Sequence, residues 1–322
     1  MNNIWCRFFA FIAGLACLAL AGSVAAQGYP ARPVRIVVPV APGAGADIIA
    51  RSIAPGMSQS LGQPIIIENK PGAASLLGYE HVARQVPADG YTGIIAAVSG
   101  LAILPLITKD LRFDALKDLP PVIGLAEVRL IFGSPAKAPW KSLEEMVAYA
   151  RANPGRLNYG SSNASVRFWM DVLVRELGIN VVHVPYRESS AYFQALVSGE
   201  IQMGLVSPSS ALPMGDRFRA LAVTGERRSA ASPDVRTLAE LGHPRIQGVG
   251  YSLNVRLGTP AVAIEKLHAA ASRALQQQEV RAQLANIHVD IGGGSTEAAS
   301  KRLSDEAAIF AEIAKVSNIQ PE

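Results

Sequence analysis

The sequence predicts an α/β fold of two domains, each a mostly parallel sheet flanked by helices. Short apolar runs bounded by turn residues alternate with amphipathic segments along nearly the whole chain, as in successive strand–helix–strand units. At 322 residues, the chain is also longer than one hydrophobic core usually serves. The alternation predicts the type of sheet, and the length predicts more than one domain.

The predicted strands are apolar, rich in β-branched residues and bounded by turn residues. They are Val34–Val38, Ile65–Ile67, Thr92–Val98, Leu130–Phe132, Leu157–Gly160, Val181–Val184, Ile201–Val206, Ala220–Val223 and Tyr251–Val255. One large sheet could hold them all, but two smaller sheets suit the chain length better. We predict a first domain of residues 27–130 plus 251–322 and a second domain of residues 131–250.

Helices are predicted between these strands. Apolar residues recur every four positions over Ile49–Leu61, although Pro55-Gly56 should kink or break that helix. Ser142 and Glu145 form a capping box at the start of another helix. Pro260 suits a first helical position, and a last helix is predicted from Ser295 onward.

Residues 1–26 predict a secretory signal peptide. One positive charge, Arg7, precedes the continuously apolar run Phe8–Leu20, and Val24-Ala25-Ala26 supplies a small-x-small cleavage site. The apolar run is too short to span a bilayer comfortably. We therefore predict export, with cleavage near Ala26.

Composition excludes several classes of site. Both cysteines, Cys6 and Cys17, lie in the leader, so the mature chain has no disulfide, iron–sulfur cluster or thiolate zinc site. The 30 lysines and arginines and 26 aspartates and glutamates are mixed along the chain, without the basic cluster of a nucleic-acid-binding protein. The histidines have no metal-ligand spacing, and no metal or organic cofactor is implied.

A glycine-bearing loop follows the first strand. Its glycines allow a ligand to approach the backbone, and the free N–H groups of a helix start can bind an anion. It lacks the lysine of a Walker loop and the third glycine of a dinucleotide fingerprint. A tight turn with the aspartate as N-cap explains it equally well. The residues are Pro42, Gly43, Ala44, Gly45, Ala46 and Asp47.

Later strand-to-helix junctions also carry polar residues, because ligands of open α/β sheets bind beyond the carboxyl ends of strands. Arg167 could clamp a carboxylate or could be an exposed helix residue. Tyr186 could donate to a ligand or leave its hydroxyl in water. The candidate ligand-binding residues at these junctions are Ser99, Gly100, Ser161, Ser162, Asn163, Ser165, Arg167, Tyr186 and Ser207.

Evidence for catalysis is weak. The sequence has no Gly-x-Ser-x-Gly elbow. A Ser/His/Asp triad remains open, with His183 as the one histidine at a predicted strand end. An exported α/β hydrolase is therefore an alternative to a binding protein.

Several motifs in order resemble one family. They are Tyr29–Arg35, Pro42–Asp47, Ile67–Ala73, Ala88–Thr92, Asn153–Ser161, Val182–Tyr186, Leu221–Thr224 and Gly258–Pro260. They are similar to the Bug family, the TctC-like periplasmic receptors of tripartite tricarboxylate transporters. The resemblance extends from residue 29 to the C-terminus.

The resemblance implies a two-domain, type II periplasmic-binding-protein (Venus flytrap) fold, with a small carboxylate held in the interdomain cleft. Backbone N–H groups of two facing loops, Pro42–Asp47 and Gly160–Ser165 here, are expected to hold one carboxylate. The implied partners are membrane permease subunits, or alternatively a sensor kinase. The receptor is expected to be a periplasmic monomer without catalytic residues.

This chain departs from the family pattern in three loops. Ala44 and Ala46 replace a glycine and a threonine, and Ser99–Pro105 replaces a loop that usually carries Thr, His and Asn. The Gly160 loop is shorter and leads to Arg167. These departures predict a more apolar cleft with one arginine, suited to a monocarboxylate or an acid with an apolar or aromatic body.

Overall fold

The computed structural model of the protein describes residues 28–229 and 232–321. The predicted signal peptide, with Cys6, Cys17 and the cleavage position near Ala26, lies outside these residues. Over the described ranges, no helix combines the length and apolar character needed to cross a membrane.

The described residues contain eleven strands. They are β1 (Val34–Val38), β2 (Ile65–Asn69), β3 (Thr92–Ala97), β4 (Pro121–Val128), β5 (Ile131–Pro135), β6 (Asn158–Ser161), β7 (Val182–Pro185), β8 (Gly204–Val206), β9 (Phe218–Val223), β10 (Val249–Val255) and β11 (Asp290–Gly293). A six-stranded sheet has the order β11-β4-β10-β3-β1-β2, and β8-β5-β9 and β6-β7 form two smaller sheets.

The six-stranded sheet is mixed and the β8-β5-β9 sheet is antiparallel, which corrects the expectation of mostly parallel sheets within an otherwise confirmed two-domain α/β fold. β1 runs parallel to β2 and β3, and β6 runs parallel to β7. β10 is antiparallel to β3 and β4, and β11 is antiparallel to β4. β5 is antiparallel to both of its neighbours. Every antiparallel pair of the large sheet involves β4, through which the chain leaves that sheet, or β10, through which it returns.

Two strands of the large sheet were not predicted, β4 and β11. β4 begins at a proline and contains Gly124, and both features weaken a strand pattern in the sequence. β11 reads Asp-Ile-Gly-Gly, which resembles a turn more than a strand. Their places in the sheet are set by pairing with neighbours distant in sequence, which local composition does not reveal.

The described residues contain ten α-helices besides shorter helical turns. They are α1 (Gly45–Leu61), α2 (Leu76–Glu80), α3 (Val98–Ile107), α4 (Leu143–Ala152), α5 (Ala164–Glu176), α6 (Ser189–Ser198), α7 (Pro208–Ala211), α8 (Ala261–Gln276), α9 (Gln278–Asn286) and α10 (Thr296–Val316). The predicted capping box at α4 is present, since Ser142 Oγ accepts a hydrogen bond from Glu145 N at 3.1 Å.

Of the two outcomes expected at Pro55-Gly56, a kink or a break, the break does not occur. The helix α1 continues through Pro55 to Leu61. Gly56 is explained by packing, because a Cβ there would lie 2.9 Å from the Cβ of Ala274 on α8. The glycine therefore permits close contact between α1 and α8 over the large sheet.

Two of the three sheets, the six-stranded sheet and β8-β5-β9, share a core. The chain leaves the large sheet at residues 129–130 and returns to it ahead of β10. Leu130 and Thr224, which follow β4 and β9, exchange hydrogen bonds of 2.9 Å. α10 follows the last strand of the large sheet, yet the ring centroid of Phe310 lies 4.7 Å from that of Trp169 on α5. The predicted domain limits, 27–130 plus 251–322 and 131–250, agree with the sheet membership of the strands but stay a prediction.

Arg302 on α10 ties together the segments that join the two sheets. Its Nη1 lies 3.1 Å from Glu127 Oε2, and its Nη2 donates to Gly248 O at 2.9 Å. Its Nε donates to Glu306 Oε1 at 3.0 Å. Glu306 is 1% exposed, and its Oε2 has no hydrogen-bond partner among the described residues. Burial raises the pKa of Glu306 to about 7, although Arg302 acts in the opposite direction.

The pKa of Glu306 leads to a prediction about stability. A carboxyl whose pKa rises on folding contributes stability that is present below its unfolded value near 4 and is lost as pH rises through about 7. Glu306→Gln stays neutral and leaves Arg302 paired with Glu127. We expect the variant to exceed wild type by about 1 to 3 kcal/mol at pH 8 and to match it near pH 5, in urea unfolding.

Asp305→Asn is the control, because Asp305 lies on the same helix with its side chain 56% exposed. It should show no such pH-dependent difference from wild type. An equal free energy of unfolding for Glu306→Gln and wild type at pH 8 would show that ionisation of the buried carboxyl does not destabilise the fold.

Candidate functional site

A cleft of about 830 Å³ lies between the two sheets, and residues of both halves line it. Its walls include the starts of several helices: Gly45 of α1, Ser165 of α5 and Ser189 of α6. Val128, Leu130 and Val249, on or next to the connections between the sheets, also line it. The cleft thus lies where the two halves of the molecule meet.

The loop before α1 contributes main-chain donors. Gly43 and Gly45 line the cleft, and Ala44, the N-cap residue, has no side chain that could cap the helix. The N–H of Asp47 donates to Ala44 O at 2.9 Å, whereas those of Gly45 and Ala46 have no acceptor among the described residues and remain available to a ligand. The N–H of Gly43 is not free, because it donates to Asp47 Oδ2 at 2.9 Å.

Asp47 holds this loop and does not face the cleft. Besides the Gly43 amide, its carboxylate accepts hydrogen bonds from Arg51 Nε at 2.9 Å and from Asn69 Nδ2 at 2.8 Å. Burial would raise the pKa of Asp47, but the hydrogen bonds from Arg51, Gly43 and Asn69 lower it to about 2. The residue is a positioning group that fixes the loop against α1 and β2.

The second predicted loop leads into α5. Ser162, Asn163 and Ser165 line the cleft. Asn163 is the N-cap, and its side chain accepts a hydrogen bond from Val166 N at 3.0 Å. Ser165 Oγ lies 3.2 Å from Oγ of Ser99, which is fully buried at the start of α3. This pair of hydroxyls joins the two halves of the molecule beside the cleft.

The candidate ligand-binding residues separate into two groups. Those that line the cleft are Gly43, Gly45, Ser162, Asn163, Ser165 and Ser207. Those that do not are Pro42, Ala44, Ala46, Asp47, Ser99, Gly100, Ser161, Arg167 and Tyr186. Tyr186 is directed elsewhere, since its hydroxyl donates to Glu200 Oε1 at 2.9 Å.

Arg167 is held away from the cleft by a polar chain behind α5. Its Nε donates to Asp171 Oδ2 at 2.7 Å, and its Nη1 lies 2.7 Å from His183 Nδ1. Asp171 also accepts a hydrogen bond from the Tyr159 hydroxyl. The arginine expected in the cleft is therefore occupied by partners within the protein.

The same chain fixes the proton on His183. A guanidinium can only donate, so Nδ1 of His183 is the acceptor and Nε2 carries the hydrogen. Nε2 lies 2.8 Å from Ser161 Oγ and donates to it. Burial and then the charge of Arg167 lower the pKa of His183 to about 4. In this state His183 cannot take the proton of Ser161, so the pair lacks the general base of a serine hydrolase.

Several cleft residues were not predicted. Tyr251 on β10 has its hydroxyl 3.6 Å from the position of a Cβ on Gly45, beside the first turn of α1. Burial raises its pKa, so the hydroxyl keeps its proton and can donate. Further lining residues are Ser189, Phe193, Ser209, Ser210, Leu212 and Asn286–Val289. For these residues, the one signal visible in the sequence was the hydroxyl-rich end of a strand, Ser207-Pro208-Ser209-Ser210.

The cleft favours an anion through dipoles. Its described lining residues include no lysine, arginine, aspartate or glutamate. The positive ends of helices α1 and α5 supply the favourable potential, with main-chain and serine donors beside them. No group of three His, Cys, Asp or Glu side chains within residues 28–229 and 232–321 is placed to hold a metal. This arrangement can hold a small anion through hydrogen bonds.

Comparison with known proteins identifies the family. The model of the TctC family, the tripartite tricarboxylate transporter family receptor, matches residues 49–319. The chain belongs to this family. TctC receptors are periplasmic solute-binding proteins and not enzymes. The resemblance predicted from the sequence is thereby confirmed.

Relatives of this TctC receptor extend over most of its length. The Cupriavidus necator protein named "UPF0065 protein in gbd 5'region" is 36% identical over 282 residues, or 86% of this chain and 85% of that protein. An R. palustris protein solved with adipate is 28% identical with a TM-score of 0.72, covering 91% of this chain and 100% of that one. MatC from Rhodopseudomonas palustris, solved with bound malate, is 29% identical with a TM-score of 0.69, covering 88% and 99%.

Replacing the buried Asp47 carboxylate tests its role in the loop. Its lowered pKa contributes stability that is present above its unfolded value near 4 and is lost as pH falls through about 2. Asp47→Asn should therefore lose about 2 kcal/mol of unfolding free energy at pH 7 and about half as much near pH 3. Arg51→Gln, at a side chain 53% exposed, should lose less. Equal losses at both pH values would contradict this role.

The protonation of His183 can be measured directly. We expect nitrogen NMR to show a neutral imidazole with the proton on Nε2 at pH 6 and a titration near pH 4. Arg167→Gln removes the neighbouring charge and should raise the pKa. Titration of wild-type His183 near pH 6.5 would restore a base beside Ser161 and contradict the assigned tautomer.

Proposed function

We propose that this TctC receptor captures a small carboxylate in the cleft between its two halves and delivers it to the permease subunits of a tripartite tricarboxylate transporter. The supporting observation is the meeting of two helix N-termini, those of α1 and α5, in a cleft lined by serine hydroxyls. Related receptors solved with adipate and malate support the carboxylate class. The protein acts in the periplasm, after removal of residues 1–26.

One carboxylate of the ligand is held by main-chain and hydroxyl donors. The amides of Gly45 and Ala46 donate from α1, and Ser165 donates from α5. Tyr251 adds a hydroxyl beside α1. Because these donors belong to both halves of the molecule, a ligand that bridges them binds the closed state better and shifts the population toward it.

We assign the two moving domains from the sheet to which each strand belongs. Residues 27–130 plus 251–322 form one domain and residues 131–250 the other, with the hinge at the two connections between them, at residues 129–130 and immediately ahead of β10. The receptor works as a monomer, and it uses neither a metal nor an organic cofactor. Delivery to a permease, and not to a sensor kinase, follows the family's transporter role.

Gly45→Ala tests the position of the carboxylate. A Cβ at this position makes only an ordinary contact with Tyr251, so the fold should accept it. The methyl group occupies space beside the α1 amides, and we expect the affinity for the bound acid to fall at least about tenfold, or about 1.4 kcal/mol. Native mass spectrometry of protein from its host identifies the acid, and titration calorimetry measures its dissociation constant.

Gln59→Ala is the matched control, since Gln59 is exposed at the other end of α1. It should bind the acid as wild type does, and both variants should keep the wild-type melting temperature within about 2 °C. Unchanged affinity in Gly45→Ala would place the carboxylate away from this helix. The absence of any bound acid, across a panel of small carboxylates, would refute the proposed function.

A further inference from the structure

The turn that joins α9 to β11 borders the cleft at one edge of the large sheet. Asp290, the first residue of β11, pairs with Glu127 near the end of β4, and the next residue of β4, Val128, lines the cleft. The turn residues Asn286–Val289 also line it. Two strand spacings, about 10 Å, separate β11 from β10, the strand that carries Tyr251. The far end of a ligand whose carboxylate lies beside Tyr251 can therefore reach this turn.

The turn is a Schellman motif with a histidine at its left-handed position. Val289 N donates to Leu284 O at 2.9 Å, and His288 N donates to Ala285 O at 2.9 Å. His288 has a φ of 56°. Glycine is the usual residue here, because the left-handed conformation is unfavourable for a residue with a Cβ. The chain thus places an imidazole where the backbone favours a glycine.

The side chain of His288 has no partner within the protein. It is half-buried and lines the cleft, and it makes no hydrogen bond, ion pair or ring contact with any described residue. The other histidines all have a partner, and they are His81, His183, His243 and His268. The imidazole of His288 is therefore available to a ligand in the cleft.

The charged groups around this turn are engaged with one another. Asp290, two residues along, binds Arg129 Nε at 2.6 Å, and Glu127 on β4 pairs with an arginine of α10. On α8, His268 lies 2.9 Å from a main-chain oxygen at the other end of β11. Across the cleft, the described lining residues include no lysine, arginine, aspartate or glutamate. His288 is thus the one described lining residue that can bring a positive charge into the cleft.

We infer that His288 determines specificity by binding a second carboxylate at the far end of the acid. This inference rests on the proposed function, since it takes the first carboxylate at α1 as given. A neutral imidazole offers one N–H donor, and a protonated one offers a charge-assisted hydrogen bond about twice as strong. The preference for dicarboxylates therefore increases as pH falls through the range in which histidine gains its charge. The monocarboxylate expected from the three departing loops did not take this turn into account.

The experiment compares acids matched in carbon skeleton. Mature protein is titrated by calorimetry with butyrate, hexanoate and octanoate and with their counterparts succinate, adipate and suberate. For the pair that binds most tightly, we expect the dicarboxylate to be preferred at least about fivefold at pH 6.5. The carboxylates stay ionised at pH 8.5, where the loss of the imidazolium should lower the preference about threefold.

Two variants of His288 separate its chemistry from its place in the turn. Glycine suits the left-handed position, so His288→Gly should melt no lower than wild type and yet lose the preference at both pH values. Asparagine also tolerates this conformation and keeps a donor, but it cannot gain a charge. His288→Asn should therefore lose only the increase at pH 6.5. A merely structural role would change the melting temperature and leave the preference as it is.

Two control variants address other charges. Glu306, whose pKa is raised to about 7 by burial, also titrates in this range but lies outside the cleft lining. Arg187 is exposed two residues ahead of the cleft-lining Ser189, without a partner among the described residues. Glu306→Gln and Arg187→Gln should both keep the change in preference between pH 8.5 and pH 6.5.

The outcomes separate the two claims. A wild-type preference retained in His288→Gly, or lost in Arg187→Gln alone, would overturn the role of His288 and leave the carboxylate receptor standing. A wild-type preference that is absent or independent of pH would overturn it as well. Failure of every acid to bind would refute the proposed function and the inference together.

Discussion

The buried carboxylate of Asp47 is the interaction on which the cleft depends. It gathers the Gly43 amide, Arg51 and Asn69 around one point behind the loop. Because Asp47 lies within the first turn of α1 and not at the N-cap, it fixes the loop without covering the first amides of the helix. Those amides are left for a ligand. A capping side chain at position 44 would satisfy them internally and remove the donors.

A second constraint acts at the opposite side of the hinge. Arg302 binds Glu127, Gly248 and Glu306, so one guanidinium holds the strand that leaves the large sheet, the segment that returns to it and the last helix. Beside the cleft, the Ser99–Ser165 contact adds a weaker link between the two halves.

Much of the fold could be predicted from the sequence, because strand and helix periods are local. β1, α1 and the α4 cap follow from apolar spacing and capping residues. β4 and β11 could not be predicted, because glycine and proline obscure their strand pattern and distant neighbours define their pairing. Gly45, Ser165 and Ser207 were found because helix starts mark ligand-binding edges. Arg167 and Tyr186 were misjudged, since only the structure shows that Asp171, His183 and Glu200 engage them.

The contact between Phe310 and Trp169 has a consequence for how the molecule is made. Phe310 lies near the end of the chain, and Trp169 near its middle, yet both rings belong to one core. The middle portion cannot complete its interior until the final helix has been synthesised. Native packing of this shared core is therefore completed only when almost the whole chain is present.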